Sequence, residues 1–281
     1  RKYIYGGSMR YEAVADSFYP ADKRQLEAFI EKAMKNVNIG DIAKDAVSFV
    51  APHAGYAYSG AVAAYTYRAL EKALLARNID TFVVIGPNHT GYGAPISVSA
   101  QDWHTPIGIA RNDLELSQAI ASSSKKIEID EEAHRSEHSV EVQIPFLQKI
   151  ADKRYTFICM GNQSIDSSRL LAEAIIKSAE KLNREIAVIA SSDFNHYESA
   201  KVAERKDMPA IEALLNMDYI GFNDKLVESG STACGYGPIT VAAIFAKSKG
   251  AEKGYLLKYT NSGETNNDYS SVVAYASIIF A

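Results

Sequence analysis

Short apolar runs alternate with segments of helical periodicity along this chain. The apolar runs that predict buried strands lie at 47–51, 81–86, 155–160, 186–190, 256–260 and 272–280. The segments that predict helices lie at 22–37, 59–76, 113–122, 166–182, 198–215, 218–228 and 238–248. This alternation is typical of a mostly parallel central sheet flanked by helices. We therefore predict a single α/β domain.

Other stretches carry weaker patterns. Residues 95–110 alternate weakly and predict short strands or an irregular hairpin. Residues 131–150 begin as a polar stretch and lead into a helix that ends near Ile150. Ser59 is a candidate N-cap for the helix that follows it. Residues 261–269 predict a polar loop between the last two strands.

The composition is that of an ordinary globular protein, with 47% hydrophobic and 23% charged residues. A net charge of -4 and the lack of a Lys/Arg-rich run argue against a nucleic-acid partner. No apolar run approaches the roughly 18 residues that a membrane span needs. Two cysteines, Cys159 and Cys234, make a disulfide framework unexpected and favour a reducing cytoplasm. Assembly into a homo-oligomer is left open.

The first eight residues end in Gly6-Gly7-Ser8, directly before Met9. That pattern is typical of a remnant of the expression vector, so we exclude 1–8 from the fold. The expected domain then covers 9–281.

Three of the six histidines stand just beyond apolar strands. His53 follows the strand at 47–51, His89 follows the strand at 81–86, and His196 follows the strand at 186–190. The carboxyl ends of parallel strands meet at one edge of a sheet, where ligands bind. We expect these imidazoles to converge there. Asp193 can bond to His196 and fix its ring tautomer.

Cys234 is the fourth member of this predicted site. It lies in a Gly-rich loop just before a helix N-terminus, a position that favours the thiolate. The ordinary alternative is a small buried hydrophobic residue, which is the role we assign to Cys159. Two imidazoles and one thiolate form a ligand set that suits Fe(II), Cu or Zn.

A second cluster of titratable residues lies in the polar stretch and consists of His134, Glu137, His138 and Glu141. If this stretch is helical, His134 and His138 share one face. A solvated surface is the alternative to metal binding. If the stretch folds over the sheet edge, His138 and Glu141 contact substrate instead.

Several tyrosines flank the predicted ligands, namely Tyr56, Tyr58, Tyr197 and Tyr236. They either pack half-buried in loops or line a pocket with hydroxyl groups. We expect Tyr56 and Tyr197 to contact the bound ligand, a small molecule or a peptide.

These residues stand within motifs that resemble the Memo family, in order and across essentially the whole chain from Met9. The motifs are Ala15-Asp16-Ser17-Phe18-Tyr19-Pro20, Ala51-Pro52-His53-Ala54-Gly55-Tyr56, Gly86-Pro87-Asn88-His89, Glu137-His138-Ser139-Val140-Glu141, Ser191-Ser192-Asp193-Phe194-Asn195-His196 and Ala233-Cys234-Gly235. That family is similar to class III extradiol dioxygenases of the protocatechuate 4,5-dioxygenase type. The resemblance implies the same α/β fold.

The resemblance also implies roles for individual residues. His53, His89 and Cys234 take the metal-ligand positions, and His196 takes the place of the acid/base histidine. The dioxygenases have a carboxylate as third ligand where this chain has Cys234, and a thiolate changes both the metal preference and the oxygen chemistry. Eukaryotic Memo proteins are tied to copper-dependent redox activity, to iron handling and to recognition of a phosphotyrosine segment.

Three hypotheses follow. The first is a redox or oxygenase-like protein with Fe(II) or Cu held by the His/His/Cys set, in which Asp193 orients His196 for proton transfer. The second is a metal-free enzyme with Cys234 as nucleophile and His196 as base. The third is a peptide- or phosphotyrosine-binding module without catalysis.

Overall fold

The computed structural model describes residues 9–281, so the expected vector remnant at 1–8 lies outside the described residues. The helices are α1 (Lys23–Met34), α2 (Tyr56–Ala76), α3 (Leu114–Ser122), α4 (Ile144–Ile150), α5 (Ile165–Lys181), α6 (Ala200–Leu215), α7 (Tyr219–Ser229), α8 (Tyr236–Ser248) and α9 (Gly263–Asn266). The strands are β1 (Met9–Arg10), β2 (Ser48–Ala51), β3 (Thr81–Pro87), β4 (Ile96–Val98), β5 (Asp102–Thr105), β6 (Gly108–Ala110), β7 (Glu128–Ile129), β8 (Arg154–Met160), β9 (Ile186–Ser191), β10 (His196–Glu198), β11 (Gly254–Asn261) and β12 (Val272–Phe280).

One large mixed sheet runs through the protein in the order β10-β12-β2-β9-β3-β8-β4-β7, with β11 paired to β12. Its centre is parallel, because β2 pairs with β9, β9 with β3, and β3 with β8 in the same direction. The outer strands β12 and β4 join this centre antiparallel. A small second sheet contains β1, β5 and β6. The predicted α/β class with a mostly parallel centre is confirmed.

The central strands are buried on both faces, which explains their continuous apolar runs. In β3, Val83 and Ile85 pack into a core beneath α3, α5 and α8, whereas Phe82 and Val84 pack into a second core beneath α1, α2 and α4. Alternate side chains of a strand point to opposite faces. The sheet is thereby fixed between two helical layers, and the positions of its strand ends are fixed with it.

Helix α2 differs from the prediction at its start. It begins at Tyr56 with Gly55 as N-cap, so Ser59 is an interior helical residue. The Ser59 hydroxyl donates to the carbonyl of Ala54 at 2.8 Å. The hydroxyl caps no N–H group there, and the first turn forms directly after the His53 loop.

The polar stretch before α4 also differs from the helical alternative. Residues 131–140 form turns, and a 3₁₀ turn at Glu141–Gln143 leads into α4. His134 and His138 therefore do not share a helical face. The predicted polar loop at 261–269 contains the short helix α9. No helix within residues 9–281 is both long enough and apolar enough to cross a membrane.

Candidate metal centre

Three adjacent parallel strands bring the site together. Because β9 lies between β2 and β3, the segments that leave these strands begin at the same edge of the sheet. His53 follows β2 and His89 follows β3, and their ring centroids are 5.2 Å apart. One ligand atom from each of His53, His89 and Cys234 lies within 4.8 Å of the other two. The predicted convergence of these three residues is therefore present in the structure.

The His53 ring is 2% exposed, and its tautomer follows from its hydrogen bonds. Its Nδ1 lies 2.8 Å from the Ser191 hydroxyl. That hydroxyl donates its only hydrogen to the carbonyl of Ser139 at 2.6 Å, and it accepts from the Gln143 amide at 2.8 Å. His53 Nδ1 must therefore carry a hydrogen and donate it. Its Nε2 is left as an acceptor, 3.1 Å from the sulfur of Cys234.

The His89 ring is oriented by a carboxylate. Its Nδ1 lies 2.9 Å from Glu137 Oε1, and its backbone N–H donates to Glu137 Oε2 at 2.6 Å. Burial alone would raise the pKa of Glu137, but the hydrogen bonds and charge of His89 and the Ser139 N–H lower it to about 2. The ionised carboxylate can only accept, so His89 Nδ1 donates, and Nε2 is the unprotonated nitrogen of the neutral ring.

The loop before α8 places Cys234. The backbone N–H of Cys234 donates to the carbonyl of Asp193 at 3.2 Å. The Gln163 amide, beyond the end of β8, donates to the Cys234 carbonyl at 2.9 Å and accepts from Gly237 N at 2.9 Å. Gly235 allows the loop to lie against β9, because a Cβ there would stand 2.3 Å from the backbone oxygen of Ser191. The sulfur is thus held against the sheet edge by backbone contacts.

The electrostatics of this centre are dominated by burial. Burial lowers the pKa of His53, and the neighbouring histidines lower it further. Burial also raises the pKa of the Cys234 thiol, and the charge of Asp193 adds to that rise. Burial raises the pKa of Asp193 to about 7, against the backbone N–H groups that it accepts. The 4.0 Å contact between His53 and Asp193 therefore joins a neutral ring to a carboxyl group and is not an ion pair.

Asp193 does not orient His196, contrary to the sequence-based expectation. Its Oδ1 accepts from the backbone N–H of His53 at 2.8 Å. After Asp193 the chain pairs with β12, since Phe194 N donates to Ala274 O at 2.8 Å. His196 Nδ1 instead donates to the carbonyl of Thr232 at 3.1 Å. The His196 tautomer is thus fixed by a backbone group, with its Nε2 free.

His138 lies beside both ligand histidines. Its ring stacks on His89 with centroids 4.7 Å apart and meets His53 edge-on at 5.3 Å. Burial is the main cause that lowers its pKa. The polar stretch therefore does fold over the sheet edge and brings His138 against His53 and His89.

Two of the predicted ligand-contacting residues have structural partners instead. The fully buried Glu141 carboxylate pairs with Arg10 at 2.7 Å and accepts from the Tyr19 hydroxyl at 2.6 Å. Tyr56 is buried, and its hydroxyl donates to Val142 O at 2.7 Å. The polar groups of both side chains are thus engaged by partners within the protein. Tyr197, by contrast, is 78% exposed and has a left-handed backbone, with φ 62°.

His134 and Cys159 are both buried and lie outside the group of three converging residues. His134 is buried, with its ring edge-on to Trp103 at 5.4 Å, so it is neither a solvated residue nor part of the converging set. Cys159 is fully buried in β8, as predicted.

A second group of possible metal ligands consists of His89, Glu137 and His138, whose ligand atoms also lie within 4.8 Å of one another. The Glu137 oxygens already accept several N–H groups, however, and this occupancy explains the cluster without an ion.

Sequence reasoning did not assign the partners that hold His53 and His89. Ser191 and Gln143 hold His53, and Glu137 holds His89. A polar residue that ends an apolar strand, such as Ser191, is a usable signal. Gln143 and Arg10 carry no such signal, because their partners are 48 and 131 positions away.

Comparison with known proteins identifies the family. The model of the Memo-like protein family matches residues 10–279. This chain belongs to the Memo-like family. The MEMO1 family protein of Methanosarcina barkeri is 43% identical over 277 residues, which cover 96% of this chain and 99% of that protein. The MEMO1 family protein of Nitrosopumilus maritimus is 39% identical over 280 residues, which cover 97% of this chain and 99% of that protein.

Membership in the Memo-like family confirms the resemblance drawn from the motifs. It also agrees with the fold, since Memo-like proteins have the extradiol dioxygenase-like α/β architecture. Neither the family description nor the names of these relatives mentions a metal or a reaction.

Proposed function

We propose that this Memo-like protein binds one redox-active metal ion, Fe(II) or Cu, through His53, His89 and Cys234. Zn(II) fits the same donors. The proposal extends to redox or oxygenase-like chemistry on a small molecule or peptide bound at the sheet edge. Three protein donors leave coordination positions open for such a ligand.

The main support for the proposal is that hydrogen bonds orient the two imidazole rings and that the three donor atoms lie close together. His53 and His89 both donate from Nδ1, so in the neutral form of each ring Nε2 is available for a metal. The Cys234 sulfur completes a set of mixed nitrogen and sulfur donors within 4.8 Å. Soft thiolate and imidazole ligands together suit iron, copper and zinc better than magnesium or calcium. Binding requires only the loss of the thiol proton.

The protein residues around the donors have separate tasks in this proposal. The metal, when bound, supplies Lewis-acid and electron-transfer chemistry. His196, oriented through Thr232, accepts or returns a substrate proton at Nε2. His138 contacts the bound ligand beside the two metal-binding rings. Asp193 holds the backbone of His53 and so fixes the loop that carries this ligand.

The metal-free alternative, with Cys234 as nucleophile, requires a base other than His196. The residue that contacts the Cys234 sulfur is His53, at 3.1 Å, and not His196. A Cys234–His53 pair is thus the form that this second candidate takes. A thiol that alkylates no faster than free cysteine at neutral pH argues against it.

Isothermal titration with Fe(II), Cu(I) and Zn(II) tests the proposal. We expect about one ion per chain, and we expect Cys234→Ser and His89→Ala to lose more affinity than the 10–100-fold typical of outer-sphere changes. His104→Ala is the matched control, because this half-exposed histidine pairs with Glu12 and lies outside the donor set. Unchanged affinity in both ligand variants would reject the site. Peptide binding that survives chelation would favour a binding module.

A further inference from the structure

We propose that Glu137 is a positioning residue that acts through His89. In this assignment, which rests on the proposed metal site, the carboxylate fixes the tautomer and the orientation of the His89 ring. Glu137 would touch neither metal nor substrate. Carboxylate partners of metal-binding histidines do both tasks in other proteins.

The contacts of the carboxylate support this assignment first. Glu137 Oε1 lies 2.9 Å from His89 Nδ1, and Oε2 accepts from the His89 backbone at 2.6 Å. One carboxylate therefore holds both the ring and the main chain of the same residue. Rotation of the His89 ring by half a turn would lose the Nδ1 bond and turn Nε2 away from the donor set.

The carboxylate is itself held in place. Oε1 also accepts the backbone N–H groups of His138 and Ser139, each at 2.9 Å. Only an acceptor-only group with two oxygens satisfies all these donors at once. Glu137 is 1% exposed, so water does not compete for these bonds. The side chain can therefore transmit a fixed orientation to His89.

The surrounding segment fixes the backbone of Glu137. Arg10 Nη2 donates to the Glu137 carbonyl at 2.8 Å, and Arg10 Nη1 pairs with Glu141 at 2.7 Å. The Ser139 hydroxyl donates to the carbonyl of Pro87, at the end of β3, at 2.8 Å. The segment that carries Glu137 is thus attached to the same strand that leads to His89.

The first experiment uses metal-free protein, so that it does not depend on metal binding. Long-range ¹H–¹⁵N NMR correlations report which ring nitrogen carries hydrogen. We expect His89 to be protonated only at Nδ1 in the wild type. In Glu137→Ala we expect a mixture of tautomers, and in Glu137→Gln, which keeps one acceptor oxygen, we expect the Nδ1–H form to persist.

Ser191→Ala is the matched control, since it removes the acceptor of His53 and leaves Glu137 intact. It should change the His53 signals and leave the His89 tautomer unchanged. A wild-type His89 that is mixed or protonated at Nε2 would overturn the assignment, and this result needs no variant to fold. An unchanged His89 tautomer in folded Glu137→Ala would overturn it as well.

A Zn(II) titration of the same proteins supplies the second readout. We expect Glu137→Ala to bind about 10–100-fold more weakly than wild type and Glu137→Gln to recover part of that loss. Equal affinity in wild type and folded Glu137→Ala would contradict the positioning role. A wild type that binds no Zn(II), Fe(II) or copper would refute the metal site, whereas the NMR result alone decides the tautomer.

Discussion

The two histidines of the candidate centre reach the same tautomer by different means. His53 is buried and donates to a neutral hydroxyl, Ser191, which is part of a network that includes Gln143 and Tyr67. His89 is a third exposed and donates to an ionised carboxylate, Glu137. A buried ring can be held by neutral partners and packing, whereas a partly exposed ring needs a stronger, charge-assisted bond.

This difference extends to the parts of the fold that each histidine depends on. The His53 network ends in the core between α2 and α4, since the Tyr67 hydroxyl donates to Gln143. The Glu137 network ends at Arg10 in β1, near the N-terminal end of the described chain. His53 is thus supported by central packing, and His89, through Glu137, by a buried ion pair between Arg10 and Glu141. Their sensitivity to substitution should differ accordingly.

The largest expected effect concerns that ion pair. Arg10→Met leaves the fully buried Glu141 without its charged partner, which should cost about 3–5 kcal/mol of unfolding free energy. Arg135→Met, which breaks an exposed pair with Glu132 in the same segment, should cost about 1 kcal/mol or less. Urea unfolding of both variants measures the difference. Equal losses would show that the Glu141 pair is not a structural support.

The second prediction compares the two ligands directly in metal-free protein. His53→Ala removes a ring that is 2% exposed and should destabilise the fold by roughly 2–4 kcal/mol, because it leaves a cavity. His89→Ala removes a half-buried ring, and the Glu137 carboxylate keeps its backbone donors, so we expect about 1 kcal/mol or less. Thermal and urea unfolding after chelation check this order. If His89→Ala proved the more damaging change, the contrast between the two supports would be wrong.

Much of the fold could be predicted because its central strands are buried on both faces. The continuous apolar runs of β3, β8 and β9 identify them without ambiguity. The start of α2 was misplaced because Gly55 lacks a capping side chain, whereas Ser59 has one but directs it to Ala54. Propensity rules identify what a residue can cap, and the path of the neighbouring backbone decides what it does.

The convergence of His53 and His89 could also be predicted, because strand ends of a parallel sheet meet at one edge. The side chains that hydrogen-bond to these histidines could not be predicted. Asp193 and His196 are three residues apart, yet Asp193 bonds to the backbone of His53 and His196 to the carbonyl of Thr232. Glu137 bonds to a histidine 48 positions away, and no local pattern encodes such a distance. Ser191 is signalled only as a polar residue at a strand end, not as the partner of His53, 138 positions away. Topology thus follows from the sequence more readily than side-chain orientation does.

The smallest expected effect concerns His196, the third histidine with a free Nε2. Its ring donates to the Thr232 carbonyl and lies outside the three-donor set, so it supports neither ligand. His196→Ala should therefore change metal affinity by no more than about twofold, which is about 0.4 kcal/mol. Metal titration of His196→Ala and His89→Ala under the same conditions compares the two affinities directly. A loss as large as that of His89→Ala would make His196 a ligand. The comparison would then include three histidines, of which His196 alone has its tautomer fixed by a backbone carbonyl and not by a side chain.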